Sequence, residues 1–516
     1  MIKKIIKFLR ENWYIALIFV VALILRLVYL RDTITVGVDS VDHLNFAKQI
    51  YSNYGYLWHG PQLRSIICNG QDIVAYLGPF YVYLLVIPAA ISHWNFLLPT
   101  AWQGIVGALS IIAYYYLTKE LTNNKVASRI VAIFLTFSFA LVIADRTMWN
   151  PNFLALFVAL TILSFIRMIK GRDGYLISFV LFFALCAQIH ASSWLFIPAF
   201  IILWAIYRIR IKRVIFWLYA TLAAIISYLP MVLHELLRGG ENLKNLYKLL
   251  FKIKDCGPAP MTFLDSAHRT VDRFSSSFWT TISGRMYEAP WKMWENATLE
   301  NKFIFFAGII FALFWVVSLI IQLIDKKQIV KRDNLMIVVI VLSGVYILMT
   351  LFYSNALYDY YFMTIIPLVY IVFAYIFAKV WPNILGKIIV VILVSTFVGV
   401  NVNSFVTYIQ ARLNRDKTIN YINPDLLWID KVELVKFIKN DSGGGPISVR
   451  YYIDVPIANR VYQYLFDQQG VDIGGSDRYE YVIIEPKNRD IGQELAGMSI
   501  TLDKTFNTLR LVKISK

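Results

Sequence analysis

The sequence predicts a polytopic, all-helical membrane protein with a small α/β domain at its C-terminal end, and three observations predict it. Apolar residues make up 58% of the 516 residues and aromatics 16%, with a mean hydropathy of +0.58; soluble domains hold ~45–50% apolar residues. Runs of about 20 apolar residues recur, each matching the hydrocarbon thickness of a bilayer at helical rise. Beyond about residue 404 the apolar runs shorten and charged residues become frequent. The net charge of +17 does not mark a nucleic-acid partner. The basic residues sit in short loops between apolar runs, where positive-inside sorting puts them.

The elements follow in order. Residues 1–10 are basic, which predicts a cytoplasmic N-terminus. A first span is expected at 12–30, and no small-residue cleavage site follows it, so it reads as an uncleaved anchor. Further spans are expected at 99–118, 126–144, 150–169, 174–190, 193–209, 214–233, 302–324, 335–353, 359–378 and 385–403, about eleven in all. Loops 119–129, 170–172, 208–213, 326–332 and 379–387 are basic and predicted inside. That alternation puts a first loop (31–98, with interfacial helices), the Asp145 turn, the His190 turn, a loop at 237–300 and the tail outside. Segment 78–94 is apolar enough to span, but counting it would place the basic loops outside. It is therefore read as an interfacial or re-entrant helix, which suits its Pro79, Pro88, Tyr81, Tyr83 and Trp94.

Residues 1–403 thus form the membrane domain and 404–516 a soluble extracytoplasmic one. In the latter, helices are expected at 424–440 and 457–469, strands at 446–454 and 479–485, and a hairpin at 500–514. The loop Ser442-Gly443-Gly444-Gly445 does not join a strand to a following helix, so it matches no nucleotide-binding fingerprint. Cys186 reads as a packing residue within a span. Cys68 and Cys256 both fall in predicted outer loops, either as a disulfide or as two free thiols. No Cys/His spacing fits a zinc site.

The chemistry-bearing groups collect at the predicted outer face. Asp39 and Asp42, in Val38-Asp39-Ser40-Val41-Asp42-His43, open an amphipathic helix predicted over 41–54. Their i, i+3 spacing puts them on one helix face. Carboxylates there stay hydrated within reach of a lipid headgroup, which suits a catalytic base acting on a membrane-borne substrate. They equally suit helix capping by Asp39 or Ser40, with Asp42 near the positive N-terminal end. Asp145-Arg146 stands just before Trp149-Asn150-Pro151-Asn152. Either the two form an interfacial ion pair, with Asn150 as a cap and Pro151 in the next helix's first turn, or Arg146 forks onto a phosphate and Asn150 meets a sugar or phosphate oxygen. His190, in a tight turn, is a helix anchor or a site residue. His234-Glu235 reads as the end of a span. Tyr358-Asp359-Tyr360-Tyr361 opens a late span, as aromatic belts do.

The acidic segment Asp39 to Ala47 resembles the Asp-Glu motif of protein O-mannosyltransferases and of the lipid A aminoarabinose transferase. Those are polytopic glycosyltransferases of the GT-C fold, related to glycosyltransferase families 39 and 83. The long first outer loop, the Asn-Pro turn after the third span, the Tyr-Tyr-Phe…Pro helix start and the soluble tail extend the likeness over roughly residues 1–400. Three positions depart from it: Ser40 replaces the usual Glu, Asn150 stands where the aminoarabinose transferase has Asp, and the arginine near the start of the second span appears as Trp102 or Gln103. The resemblance implies a GT-C-like fold with Asp39 as the catalytic base on an acceptor hydroxyl. Asp42, His43, Asp145, Arg146, Asn150, His190 and Tyr361 are the expected substrate-binding set, with Arg64, Arg269 and Arg273 as further candidates for the donor's phosphate. The expected partners are a polyprenyl-phosphate sugar donor, membrane lipids and an acceptor glycan, lipid or protein. No cofactor and no metal are expected, and the expected location is the plasma membrane with the site facing outside.

Rival classes are weaker. A transporter would place ionisable residues deep in its spans, and the predicted spans are nearly charge-free. An oligosaccharyltransferase or glycan polymerase shares the lipid-phosphate logic, but the former's Trp-Trp-Asp type of motif is missing, since Trp428 stands alone in the tail.

Overall fold

The computed structural model describes residues 13–52, 59–68, 71–249, 262–284, 335–352, 357–414, 428–453, 459–475, 478–485, 487 and 489–515. The expected span 302–324 and Cys256 lie outside the described residues, as do the side chains of Arg64 and Cys68. Both readings of Cys68 and Cys256, a disulfide or two free thiols, fall outside the described residues.

The first apolar run forms helix α1 (Trp13–Leu27), and a short helix α2 (Leu30–Thr33) follows it. The acidic motif forms helix α3 (Val38–Ser52), starting three residues earlier than the sequence predicts. Next come an antiparallel hairpin, β1 (Gln62–Cys68) and β2 (Gln71–Tyr76), and helix α4 (Phe80–Ile91). The hairpin was not anticipated, although residues 69 and 70 are Asn-Gly, the dipeptide favoured in two-residue hairpin turns. Helix α4 has 12 residues, about 18 Å at helical rise, well short of a bilayer's ~30 Å core. It packs on α3 through Tyr81, Val82, Leu85 and Ala89, all fully buried.

The bundle continues with α5 (Leu97–Thr122), α6 (Lys125–Phe137), α7 (Phe139–Asp145), α8 (Leu154–Ile169), α9 (Tyr175–Ile189), α10 (Ile197–Tyr207) and α11 (Val214–Leu237). Three-residue-per-turn segments, Asn150–Phe153 and Ala191–Phe196, precede α8 and α10. Four described helices are long and apolar enough to cross a membrane, or five if α6 and α7 count as one bent span. Six shorter apolar helices accompany them. By length alone the described residues give fewer spans than the eleven expected, because several predicted spans fold as short helices joined to turns.

The α6–α7 break at Ser138 bends the chain by 62°. A break inside apolar surroundings frees backbone polar groups that must find partners. Here Asn401 Oδ1 accepts the Phe139 N–H at 2.8 Å, and Asn401 Nδ2 donates to Ile282 O at 3.1 Å. The expected loop 237–300 contains two helices, α12 (Glu241–Tyr247) and α13 (Phe263–Ser283). Thr262 and Asp265 form a reciprocal capping box that starts α13. Its buried C-terminal turn meets the bend: Tyr370 OH donates to Thr281 O at 3.0 Å.

Helices α14 (Met336–Leu351), α15 (Asp359–Met363), α16 (Ile366–Val380) and α17 (Ile384–Leu413) complete the bundle. Helix α17 runs 30 residues without interruption, so the expected boundary at 403/404 falls inside a helix. The tail follows the predicted order: α18 (Trp428–Asp441), β3 (Ser448–Ile453), α19 (Asn459–Gln469), β4 (Tyr479–Glu485) and the hairpin β5 (Ser499–Phe506) and β6 (Leu509–Ser515). The sheet order is β3-β4-β6-β5, with β3 parallel to β4 and the other pairs antiparallel. Leu434, Val435, Ile438, Val461, Leu465 and Phe466 cover one face of β4 and β6, and Ile491 and Leu495 pack on the other. This domain sits on the membrane bundle near α3. Phe96 packs edge-on to Trp428 and Tyr464, the Trp428 N–H donates to Ile34 O, and Tyr464 OH donates to Trp94 O.

Candidate active site

Asp39 lies in the first turn of α3. The residues behind it, Ser40, Val41, Leu44 and Ala47, are buried, so the apolar stripe of α3 turns inward and leaves Asp39 open to water. Ser40 donates its hydroxyl to Met148 O at 2.7 Å and pins this turn to the 146–149 segment. Trp149 Nε1 donates to Asp39 Oδ2 at 2.9 Å. Crowding by the protein on most sides holds the Asp39 carboxyl above the usual carboxylate range, and the indole hydrogen bond works against that rise. The group is a carboxylate with enhanced basicity that remains accessible.

Trp149 is itself held in place. Gln103 accepts the Trp149 N–H through Oε1 and donates from Nε2 to Trp149 O, both at 3.2 Å. Gln103 is 1% exposed. Its amide serves the backbone. Tyr360 packs edge-on to Trp149 with ring centroids 4.3 Å apart and stacks with Tyr358 and Tyr361. His190 sits against Tyr360 and Tyr361 at 5.6 and 5.4 Å. Its Nδ1 accepts the Ser192 N–H at 3.1 Å, capping the segment that follows. That acceptor role puts the proton of a neutral imidazole on Nε2. Asp39, Trp149, Tyr360, Tyr361 and His190 thus form one continuous set of contacts.

The other predicted site residues divide. Asn150 Nδ2 donates to Ile189 O at 2.6 Å, tying the Asn-Pro turn to the residue before His190. It is the first residue of its short helix and Trp149 holds the cap position, so the expected capping by Asn150 is corrected. Tyr361 is buried, and its carbonyl accepts Tyr346 OH at 2.7 Å. Asp42 is half-buried and paired with Arg460 of the tail domain at 3.0 Å. Burial raises its carboxyl, the Arg460 charge lowers it and the neighbouring Asp39 raises it again. His43 is packed edge-on against Tyr81 at 4.8 Å, and burial pushes its imidazole down to about 3, so it is neutral. The ring is wedged between α3 and α4.

Asp145 and Arg146 are not an ion pair with each other. The Asp145 carboxylate accepts Arg26 Nε at 2.8 Å, and Arg26, 1% exposed, stands in the last turn of α1. The first span therefore carries a buried charge that the reading of nearly charge-free spans passed over. Gly107 makes room for it: a Cβ there would lie 2.2 Å from the Asp145 carboxyl carbon. Arg146 is 3% exposed. It donates from Nη1 to Leu25 O and Arg26 O, at 3.1 and 3.0 Å, and from Nη2 to Thr33 Oγ1. It clasps the C-terminal end of α1 through Nη1, while its Nε has no hydrogen-bond partner. Arg269 and Arg273 lie on α13, and Arg273 is buried. Among the described residues no three His, Cys, Asp or Glu side chains gather as a metal set.

No protein-family model and no curated protein matches the chain in sequence. Among solved structures, it is similar to ArnT from Cupriavidus metallidurans bound to undecaprenyl phosphate, at a TM-score of 0.55 and 11% identity over 98% of each chain. It also aligns with the archaeal oligosaccharyltransferase AglB from Archaeoglobus fulgidus, in complex with an inhibitory peptide and a dolichol-phosphate. There the TM-score is 0.43 and the identity 12%, over 94% of this chain and 70% of that one. The first likeness spans both domains from end to end, and with it the chain has a GT-C fold resembling that of glycosyltransferase family 83.

Proposed function

We propose that the chain is an integral-membrane glycosyltransferase. It moves a sugar from a polyprenyl-phosphate donor to an acceptor hydroxyl on a protein, lipid or surface glycan, at the outer face of the plasma membrane and with inversion. The observation that carries this reading is Asp39: an accessible carboxylate of raised basicity, fixed by Trp149 at the head of the helix that follows the first span. As the acceptor oxygen bonds to the anomeric carbon, Asp39 takes its proton. The bond from that carbon to the phosphate oxygen breaks, and polyprenyl phosphate leaves with the electron pair. A phosphate leaving group needs charge stabilisation and no protonating acid. General-base help of this kind contributes ~10²–10⁴-fold.

Two further features support it. Trp149 touches the carboxylate, and Tyr360 and Tyr358 extend the aromatic cluster from it; aromatic rings suit the apolar face of a sugar. An apolar cavity of about 570 Å³, lined by Leu77, Trp194, Tyr228, Val232, Leu236 and Leu243, lies at the same bilayer end as His190 and suits a prenyl chain. Arg146 enters this reading as a fixed positive charge that holds α1 against the site. Asn150 and His190 hold the turn that carries Trp149, and Asp42 faces the tail domain. The test is sugar transfer in proteoliposomes from a panel of polyprenyl-phosphate sugars. Transfer by the wild type and its loss in Asp39→Asn are expected; an Asp39→Asn protein with full activity removes Asp39 as the base.

A further inference from the structure

At the bilayer end opposite Asp39, two interhelical loops border an open pocket of about 610 Å³. One loop joins α8 to α9 and the other joins α10 to α11. Helix α8 leads away from the Asn150 turn, and its 16 residues put the pocket about 24 Å from the candidate site at helical rise.

The lining has two chemistries. Arg172, Lys212 and Arg213 face it together with one acid, Asp173, three positive charges against one negative. Asp173 Oδ2 accepts the backbone N–H of Lys212 at 3.0 Å, which latches the two loops together. Two other cations at this end share an acidic neighbour: Glu120 lies 3.7 Å from Arg167 and 3.5 Å from Lys170. Among the described residues, Arg172, Lys212 and Arg213 make no such pair. The rest of the wall is apolar, with Ile177, Leu181 and Phe216. Phe216 belongs to α11, whose apolar stretch is only 6% buried, the least of the four long apolar helices. Val214 and Leu218 on the same helix are 80% and 60% exposed, so the pocket opens onto a lipid-facing surface.

We propose that this pocket binds the headgroup of an anionic phospholipid from the leaflet opposite Asp39. The phosphate sits among Arg172, Lys212 and Arg213, and the first acyl methylenes lie along Ile177, Leu181 and Phe216. Basic pockets between helices at a membrane surface recognise anionic headgroups in this way, and arginine suits phosphate geometry. A soluble anion would leave the apolar wall wet. A zwitterionic lipid would bring its own cation into a pocket of the same sign. The bound lipid bridges the α8–α9 loop to the α10–α11 loop.

The test uses the full-length protein in detergent, titrated with phosphatidylglycerol or phosphatidylcholine and read by native mass spectrometry and thermal unfolding. The wild type is expected to retain phosphatidylglycerol with at least tenfold preference and to melt higher with it. The combined variant Arg172→Gln, Lys212→Gln and Arg213→Gln should lose both effects. A control with Lys125→Gln, Arg208→Gln and Arg210→Gln removes as many charges at the same bilayer end and should keep them. If the combined variant melts early in phosphatidylcholine alone, Arg172→Gln by itself is the probe and should cut the preference at least threefold. Equal phosphatidylglycerol retention in wild type and pocket variant overturns the proposal, and so does equal loss in the control. Stabilisation by inorganic phosphate matching that by phosphatidylglycerol overturns it as well, since the site would then take a free anion.

Discussion

At the scale of single residues, Asp39 and Trp149 make the sharpest predictions. Asn caps a helix about as well as Asp, so Asp39→Asn removes basicity and leaves α3 intact. Transfer should fall by two or more orders of magnitude with little change in thermal stability. The sign of the pH effect supports that. A folded carboxyl raised above its unfolded value stabilises most at low pH and loses that contribution as pH climbs through the folded value. Near neutrality the Asp39 charge therefore adds nothing to stability that Asn would forfeit. Trp149→Phe removes the indole donor that holds the carboxyl down, so the acid limb of kcat/KM against pH should move to higher pH. A limb that stays put would remove Trp149 from this role. Arg146→Ala should cost stability before donor affinity, because hydrogen bonds to charged groups contribute about 1.5–3 kcal/mol each and its guanidinium serves α1 and α2. The acidic motif was legible because it is contiguous. Trp149 lies 110 residues from Asp39, and Asp145 lies 119 residues from Arg26; pairings at that range are made by packing and leave no local pattern.

At the scale of elements, one amide takes part in holding the bent α6–α7 span. Asn401→Leu would orphan the Phe139 N–H in an apolar setting, and an unsatisfied buried donor costs about 1–3 kcal/mol. The thermal midpoint in detergent should fall accordingly, while Asn401→Gln offers the same chemistry at a longer reach. Gly107→Ala should also destabilise, since its Cβ would collide with the Asp145 carboxylate on the facing helix. The long apolar helices were readable from composition, and so were the strands and helices of the tail. The β1–β2 hairpin and α13 were not, although Asn69-Gly70 and the Thr262/Asp265 box are local signals for both. Each lies in a segment with no bilayer-length apolar window, so a reading driven by hydropathy left it as loop. The break at Ser138 was invisible for the converse reason: the apolar run continues through it, and Asn401, which makes the break tolerable, is far away in sequence.

At the scale of the whole molecule, the tail domain rests on the bundle through unequal contacts. Arg460 and Asp42 are 49% and 33% exposed, and exposed pairs contribute about 0–1 kcal/mol, so Arg460→Ala should hardly move the melting midpoint. Trp428, packed on Phe96, is a buried anchor, and its truncation to Ala should cost ~3–5 kcal/mol and loosen the domain in limited proteolysis. Orientation is tested by cysteine labelling from outside: a cysteine at Arg210 should stay protected and one at Lys504 should react, and strong labelling at Arg210 would reverse the topology. Helices α9 and α16 carry one more consequence. Each has 15 residues, about 22 Å at helical rise, beside a bilayer core of ~30 Å. Such hydrophobic mismatch is relieved by thinning the surrounding lipid, at fractions of a kcal/mol per Å. The bilayer should therefore be thinned in a local collar where these short helices meet it, but not along α11, whose 24 residues reach about 36 Å. A lipid entering that collar has its headgroup drawn toward the midplane, and its phosphate descends along the wall of the protein.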